Sequence, residues 1–212
     1  VRLDGEENAG EPLEACAALL KQGAVVGIKG LGGFHLACDA TSAAAVRALR
    51  ERKQRDEKPF AVMVADLAAA TSLAEVSESE EALLVSPERP IVLLRSKPEN
   101  AVAGAVSPDT PLLGLFLPYT PLHHLLMAAV RRPLVMTSAN VSGVPLAHTE
   151  AELEPLLGPV ADAALGHDRP IASPCDVSVA RVVTDDSGGA SLLPVRRARG
   201  YVPLPVRLVG AR

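Results

Sequence analysis

The chain has no tryptophan, and two tyrosines and three phenylalanines are its only aromatic residues in 212 positions. So few flat rings leave little on which nucleobases could stack, which counts against a single-strand nucleic-acid binder. With 48% of residues hydrophobic, the core must be built from Ala, Val and Leu. Cysteine is scarce too: Cys16, Cys38 and Cys175 are odd in number, far apart and without a C-x-x-C. That excludes a disulfide framework and gives no zinc site. Cys16 and Cys38 sit in apolar surroundings and read as small core residues. Positive charge is not in excess either. A formal net charge of -4 argues against a surface that grips nucleic acid as a whole, so any basic site must be local. No apolar run approaches the roughly 20 residues of a membrane span, and there is no signal-peptide pattern. The expectation is a cytoplasmic protein without a membrane partner.

What is present is an alternation of helical and extended segments. Residues 1–10 read as a polar linker or tail, residues 11–206 as one domain, and 207–212 as a tail. The start at Val1 fits a piece of a longer polypeptide. Glu11-Pro12 opens a helix that Gly23 closes, and Ala24–Ile28 is a buried strand. Lys29-Gly30-Leu31-Gly32-Gly33 is a loop that glycine lets fold tightly, and Phe34–Cys38 is a second strand. Ser42 caps a helix from about Ala43 to Arg52 with Val46 and Leu49 inward. Strands are expected at Phe60–Val64, Pro90–Leu94, Leu112–Leu117, Leu134–Met136, Ser178–Val183 and Leu192–Val195. Short helices are expected after Asp66, over Glu78–Leu84 and after Pro121. Residues 96–111 read as loop. Thr149 and Glu152 are spaced as a capping box for a helix that Gly158 closes. The class is α/β: a single domain with a twisted, mostly buried mixed sheet flanked by helices.

Three places carry chemistry. Lys53-Gln54-Arg55-Asp56-Glu57-Lys58-Pro59 sets three cations around one turn. That is either a solvated helix end or a socket for a polyanion, with Arg as a planar fork and Lys as a point charge. Thr137-Ser138-Ala139-Asn140-Val141-Ser142-Gly143 ends a buried strand in hydroxyls, an amide and backbone N–H groups, although these residues also form ordinary turns. Arg196-Arg197-Ala198-Arg199 either closes a basic pocket or faces water. The Gly30–Gly33 loop matches neither the dinucleotide nor the Walker spacing. Of the neighbouring pair His123 and His124, one can face a ligand while the other is structural. No set of residues shows metal-ligand spacing.

These segments coincide with a known pattern. Lys29–Ala40, Arg52–Met63, Leu117–Leu126, Thr137–Gly143, His167–Ile171 and Arg197–Pro203 resemble the YrdC-like domain, most closely the version within the hydrogenase-maturation carbamoyltransferases (HypF). The resemblance runs from about residue 11 onward. It implies a YrdC-like fold whose concave face is a basic nucleotide pocket, with ATP and Mg²⁺ used to adenylate carbamate made from carbamoyl phosphate. It assigns Lys53 and Arg55 catalytic roles on the phosphates, together with Lys58. Ser138 and Asn140, supported by Thr137, would hold carbamoyl or nucleotide hydroxyl groups. Arg199 and Ser178 would complete the nucleotide side. Lys29, His35, Tyr119, His123 and Asp176 would stand on the substrate side. The implied partners are other domains of the same polypeptide and a hydrogenase-maturation acceptor protein. Two departures stand out. Pro174-Cys175-Asp176-Val177-Ser178-Val179 replaces the family's frequent Arg-x-Asp-Asp-Ser-Val, and Val144 replaces an acidic residue.

Other functions are open to the same domain: threonylcarbamoyl-AMP synthesis for tRNA modification, an antibiotic O-carbamoyltransferase module, or a non-catalytic module binding double-stranded RNA. The last would show steep salt dependence and no need for magnesium or a small acid.

Overall fold

A computed structural model describes residues 2–4, 11–141, 143–184 and 189–205. Val1, Ser142, the expected tail 207–212 and most of the expected linker lie outside them. Among the described residues, eleven strands share one mixed sheet, in the order β1-β9-β2-β3-β8-β4-β7-β6-β10-β11 with β5 beside β6. The strands are β1 (Arg2–Asp4), β2 (Val26–Lys29), β3 (Phe34–Asp39), β4 (Ala61–Met63), β5 (Ala74–Glu75), β6 (Ile91–Ser96), β7 (Leu112–Phe116), β8 (Leu134–Ser138), β9 (Ala163–Gly166), β10 (Val179–Thr184) and β11 (Ala190–Arg196). The helices are α1 (Pro12–Lys21), α2 (Ala43–Lys53), α3 (Leu67–Leu73), α4 (Glu78–Val85), α5 (Pro121–Val130) and α6 (Glu150–Leu153). None of them is long and apolar enough to cross a membrane.

Period-two alternation divides each central strand between two cores. Phe34, Leu36 and Cys38 of β3, Val62 of β4 and Val135 of β8 join one cluster with Val46 and Leu49 of α2. Ala37, Met63, Leu134 and Met136 point the other way, to Leu20 of α1 and Leu126 of α5. Both faces are therefore dry, as the apolar runs of the sequence required. Cys16 and Cys38 are buried and free, as expected.

The helix starts follow the caps. Ser42 accepts from the Ala45 N–H, Asp66 from Ala69 and Thr120 from His123, and the Thr149–Glu152 capping box is formed. Three features differ from the sequence reading. Arg2–Asp4, expected as linker, is an edge strand antiparallel to β9. It is too short to show periodicity, and Leu3 packs on the core. β9 itself was missed because Ala163-Ala164-Leu165-Gly166 lacks β-branched residues; burial between β1 and β2 imposes the strand. α6 stops after one turn, and a 3-10 turn carrying Pro155 follows it.

Candidate functional site

β8 runs antiparallel between β3 and β4 and delivers Thr137 and Ser138 to the same end of the sheet where α2 delivers Lys53. α2 is terminated by Gln54 in the left-handed region, φ 51°, which turns the chain sharply into the basic segment. Two cavities open on either side of this junction. One, of about 330 Å³, has a floor of Ala61, Ile91, Leu93, Gly114, Phe116 and Met136. Its rim is His35, Arg55, Thr137, Ser138, Asp176 and Arg196. Gly114 keeps the floor open, since a Cβ there would stand 3.0 Å from Ile91 Cγ2. The other cavity, of about 400 Å³, is lined by Lys53, Arg55, Lys58, Ser138, Asn140 and the turn between them. Arg55 and Ser138 belong to both.

Lys53 is buried, and its ammonium is held by three protein oxygens: the carbonyls of Ser138 (2.7 Å) and Asn140 (2.6 Å) and Asn140 Oδ1 (2.7 Å). An ammonium has three protons, so none is left for a phosphate. Burial, with Arg55 nearby, lowers its pKa to about 8. Asn140 Oδ1 also accepts from Ser138 Oγ at 2.7 Å, and Asn140 Nδ2 donates to the Val144 carbonyl at 2.6 Å. The loop after β8 is thus laced to the end of α2. Arg55 donates to Thr137 Oγ1 (3.3 Å) and to the Lys58 and Pro59 carbonyls, with its guanidinium 5.0 Å from the Phe60 ring centroid. Burial and the neighbouring Arg50 and Arg196 lower its pKa, so it faces an already positive surrounding. Lys58 is exposed, and its ammonium has no hydrogen-bond or ion-pair partner among the described residues.

His35 reaches the first cavity, and Tyr119, His123 and Arg199 are stacked behind it. His35 Nε2 lies 2.6 Å from Tyr119 Oη, and the Arg199 guanidinium stands 3.9 Å over the Tyr119 ring. Burial, then the nearby Arg199, pushes the His35 pKa down to about 4, and burial, then the nearby His35, Arg199, His124 and His167, holds His123 well below its ordinary value. Both rings are therefore neutral at pH 7.

Several residues expected at the site stand elsewhere. Lys29 is buried against Glu150 Oε1 (2.6 Å) and the His167 carbonyl (2.9 Å), away from both cavities. Ser178 is fully buried; its hydroxyl donates to the Arg199 carbonyl and accepts from the Ala198 N–H, both at 2.9 Å, so it pins that turn. His123 lies behind the site and His124 is exposed. Within the arginine cluster, Arg196 reaches the cavity beside Asp176 (3.8 Å), while Arg197 is tied to the Tyr201 and Leu204 carbonyls. Residues 30–33 of the glycine loop line neither cavity. Gly32 packs on Cys175, whose N–H donates to the Gly32 carbonyl at 2.9 Å, and this sets Asp176 in the cavity wall. Arg50 escaped sequence reading altogether; the available signal was a cation one turn before Lys53 on the inward stripe of Val46 and Leu49.

The arrangement offers cations and amides for a polyanion on one side and a dry, shaped floor on the other. Residues 18–192 match the model of the Sua5, YciO and YrdC proteins, described as "Telomere recombination". The chain is 48% identical over 214 residues to carbamoyltransferase HypF2 of Cupriavidus necator, covering 93% of this chain and 26% of that protein. It is 34% identical over 145 residues to human threonylcarbamoyl-AMP synthase, covering 67% of this chain and 52% of the other. A crystal structure of full-length HypF in the phosphate- and nucleotide-bound form superposes with a TM-score of 0.89 at 42% identity, over 95% of this chain and 26% of that one. The chain therefore spans about a quarter of the HypF proteins it matches. With the match running through both halves of the site, from the basic turn to the loop after β8, the chain belongs to the Sua5/YciO/YrdC family and is closely similar to a segment of the HypF carbamoyltransferases.

Proposed function

We propose that this chain adenylates carbamate with ATP, as one module of a larger carbamoyltransferase. The observation that carries the reading is the meeting of two cavities at Arg55 and Ser138, one lined by cations and one with an apolar floor. A triphosphate suits the first side, and a nucleoside or small acid the second. Similarity to HypF2 supports carbamate as the acid, and the nucleotide-bound relative supports ATP.

In the step itself, a carboxylate oxygen of carbamate bonds to the α-phosphorus. The bond from that phosphorus to the bridging oxygen of the β-phosphate breaks, and pyrophosphate leaves with the electron pair. Two anions must approach, so charge neutralisation and alignment carry most of the acceleration. Arg55 and Lys58 meet the phosphates. Lys53 acts by holding Ser138 and Asn140, whose loop positions the reacting groups with Thr137 and Arg55. Arg196 and Asp176 border the apolar side, and Arg199 backs His35 through Tyr119. Mg²⁺ would arrive on the triphosphate as part of the substrate. The remaining domains would supply carbamate from carbamoyl phosphate and carry the carbamoyl group to a hydrogenase-maturation acceptor.

The test is pyrophosphate release from Mg-ATP with carbamoyl phosphate and a separate acylphosphatase, beside a reaction given threonine and bicarbonate. Release only in the first establishes carbamate adenylation. Release only in the second makes the chain a threonylcarbamoyl-adenylate former.

A further inference from the structure

Arg50 is buried beneath the basic turn, and its guanidinium is surrounded by carbonyls. Nη1 donates to the carbonyls of Arg55 (2.8 Å), Asp56 (3.1 Å) and Lys58 (3.2 Å). Nε and Nη2 donate to Ala105 (2.6 Å) and Val106 (3.2 Å) in the 3-10 turn Gly104–Val106. The guanidinium also lies 4.5 Å from the centroid of the buried Phe60 ring. Three carbonyls of one short turn are thus gathered onto a single cation. The N–H groups of Asp56 and Glu57, in the peptide planes of the first two of those carbonyls, donate to no acceptor among the described residues, and both residues are exposed along the cation-lined cavity. Consecutive unpaired N–H groups around a turn form a concavity suited to an anion. Only a planar, always charged fork can take up so many carbonyls at once; lysine has three protons and a point charge.

We propose that Arg50 is a positioning residue: by holding the carbonyls of Arg55 and Asp56 inward it turns the N–H groups of the same two peptide planes, those of Asp56 and Glu57, outward as a backbone cradle for a phosphate oxyanion beside Lys58 and Arg55. The proposal rests on the adenylation reading only for the identity of that anion. Inorganic tripolyphosphate replaces ATP in its test, so the two can fail separately.

In ¹H–¹⁵N spectra of the unsubstituted chain, tripolyphosphate should shift the amides of Asp56 and Glu57 at saturation. Unmoved amides there overturn the proposal whatever the variants do. Calorimetric titration of Arg50→Met and Arg50→Lys should show affinity weakened by about 10- to 100-fold, by analogy with the loss when a metal ligand is deprived of its outer hydrogen-bond partner. The control is Arg52→Met, which loses a surface pair with Asp162 (2.9 Å) and should bind as the parent does. Parental affinity in a folded Arg50 variant, judged by circular dichroism, also overturns the proposal. Intact tripolyphosphate binding with no pyrophosphate release from any acid would leave the cradle standing and remove carbamate adenylation.

Discussion

Lys53 Nζ holds both oxygens of Asn140, the backbone carbonyl at 2.6 Å and the side-chain carbonyl at 2.7 Å, joining the end of α2 to the loop after β8 across 87 residues of sequence. The charge that looks free for a phosphate in the sequence is the clasp of the site. Its removal should act through geometry.

Lys53→Met leaves the Ser138 and Asn140 carbonyls without their donor and frees the loop. A site that loses one preorganising donor typically slows by about 10²–10³-fold. The expected result is a fall of that size in the rate of pyrophosphate release. Lys53→Arg should fail to restore it, because a planar fork cannot replace a tetrahedral ammonium here. Full activity in either variant would remove Lys53 from the machinery.

The same clasp gives an upper pH limit. Lys53 is protonated below a pKa of about 8 and deprotonated above it. A neutral amine keeps only two protons for three oxygens, so activity should fall as pH rises through about 8. The check is a pH profile of pyrophosphate release with substrates saturating. A plateau continuing to pH 10 would contradict it.

On the acid side, stability should decline through His35 and His123. Burial holds His35 at about 4 against an ordinary value of 6.5. The unfolded chain therefore binds this proton first as pH falls. Stability is at its plateau above about pH 6.5, erodes down to about pH 4 and loses about 3 kcal/mol from His35 at 1.36 kcal/mol per pKa unit. His123 adds to the loss in the same direction. Urea unfolding between pH 7 and 4.5 measures it, and His123→Leu should flatten the slope.

Gly32 should tolerate no side chain. A Cβ there would overlap the Cys175 backbone. Gly32→Ala is expected to destabilise by about 1–3 kcal/mol, the usual cost of overpacking, and to displace Asp176 from the cavity wall. Leu31→Ala, at an exposed neighbour, should be near neutral. Chemical denaturation of the two variants side by side distinguishes the loop's structural role from a ligand-binding one.

Much of this was legible in the chain. Ser42, Asp66, Thr120 and Thr149 announce helix starts because a cap is a local hydrogen bond within three residues. The apolar runs Ala24–Ile28 and Leu134–Met136 fall in strands buried on both sides, as their composition requires. The basic turn and the Thr-Ser-Ala-Asn loop were identified as places of chemistry and do lie together. What could not be read was which polar atoms the protein itself takes up. Ser178, Lys29 and Lys53 look available in sequence, yet each is bound to a group 20 or more residues away. Arg50 drew no reading for the same reason, since its carbonyl partners lie in turns that the sequence does not bring together. β9 was hidden because its strand is imposed by neighbours from both sides, with no propensity of its own.

The order of the sheet has a consequence for how the molecule forms. β2 pairs with β9, β3 with β8 and β4 with both β7 and β8, so the central ladders join segments a hundred or more residues apart as well as nearer ones. Loop-closure entropy must be overcome before such ladders yield any stabilisation, which places folding toward the slow, millisecond-to-second end for domains of this kind. The two halves of the site, the end of α2 and the loop after β8, are brought together by those long-range ladders. Neither a nascent chain nor a fragment ending before β8 can hold the clasp between Lys53 and Asn140. Ligand affinity should therefore appear in a refolding experiment together with the last phase of burial, never ahead of it.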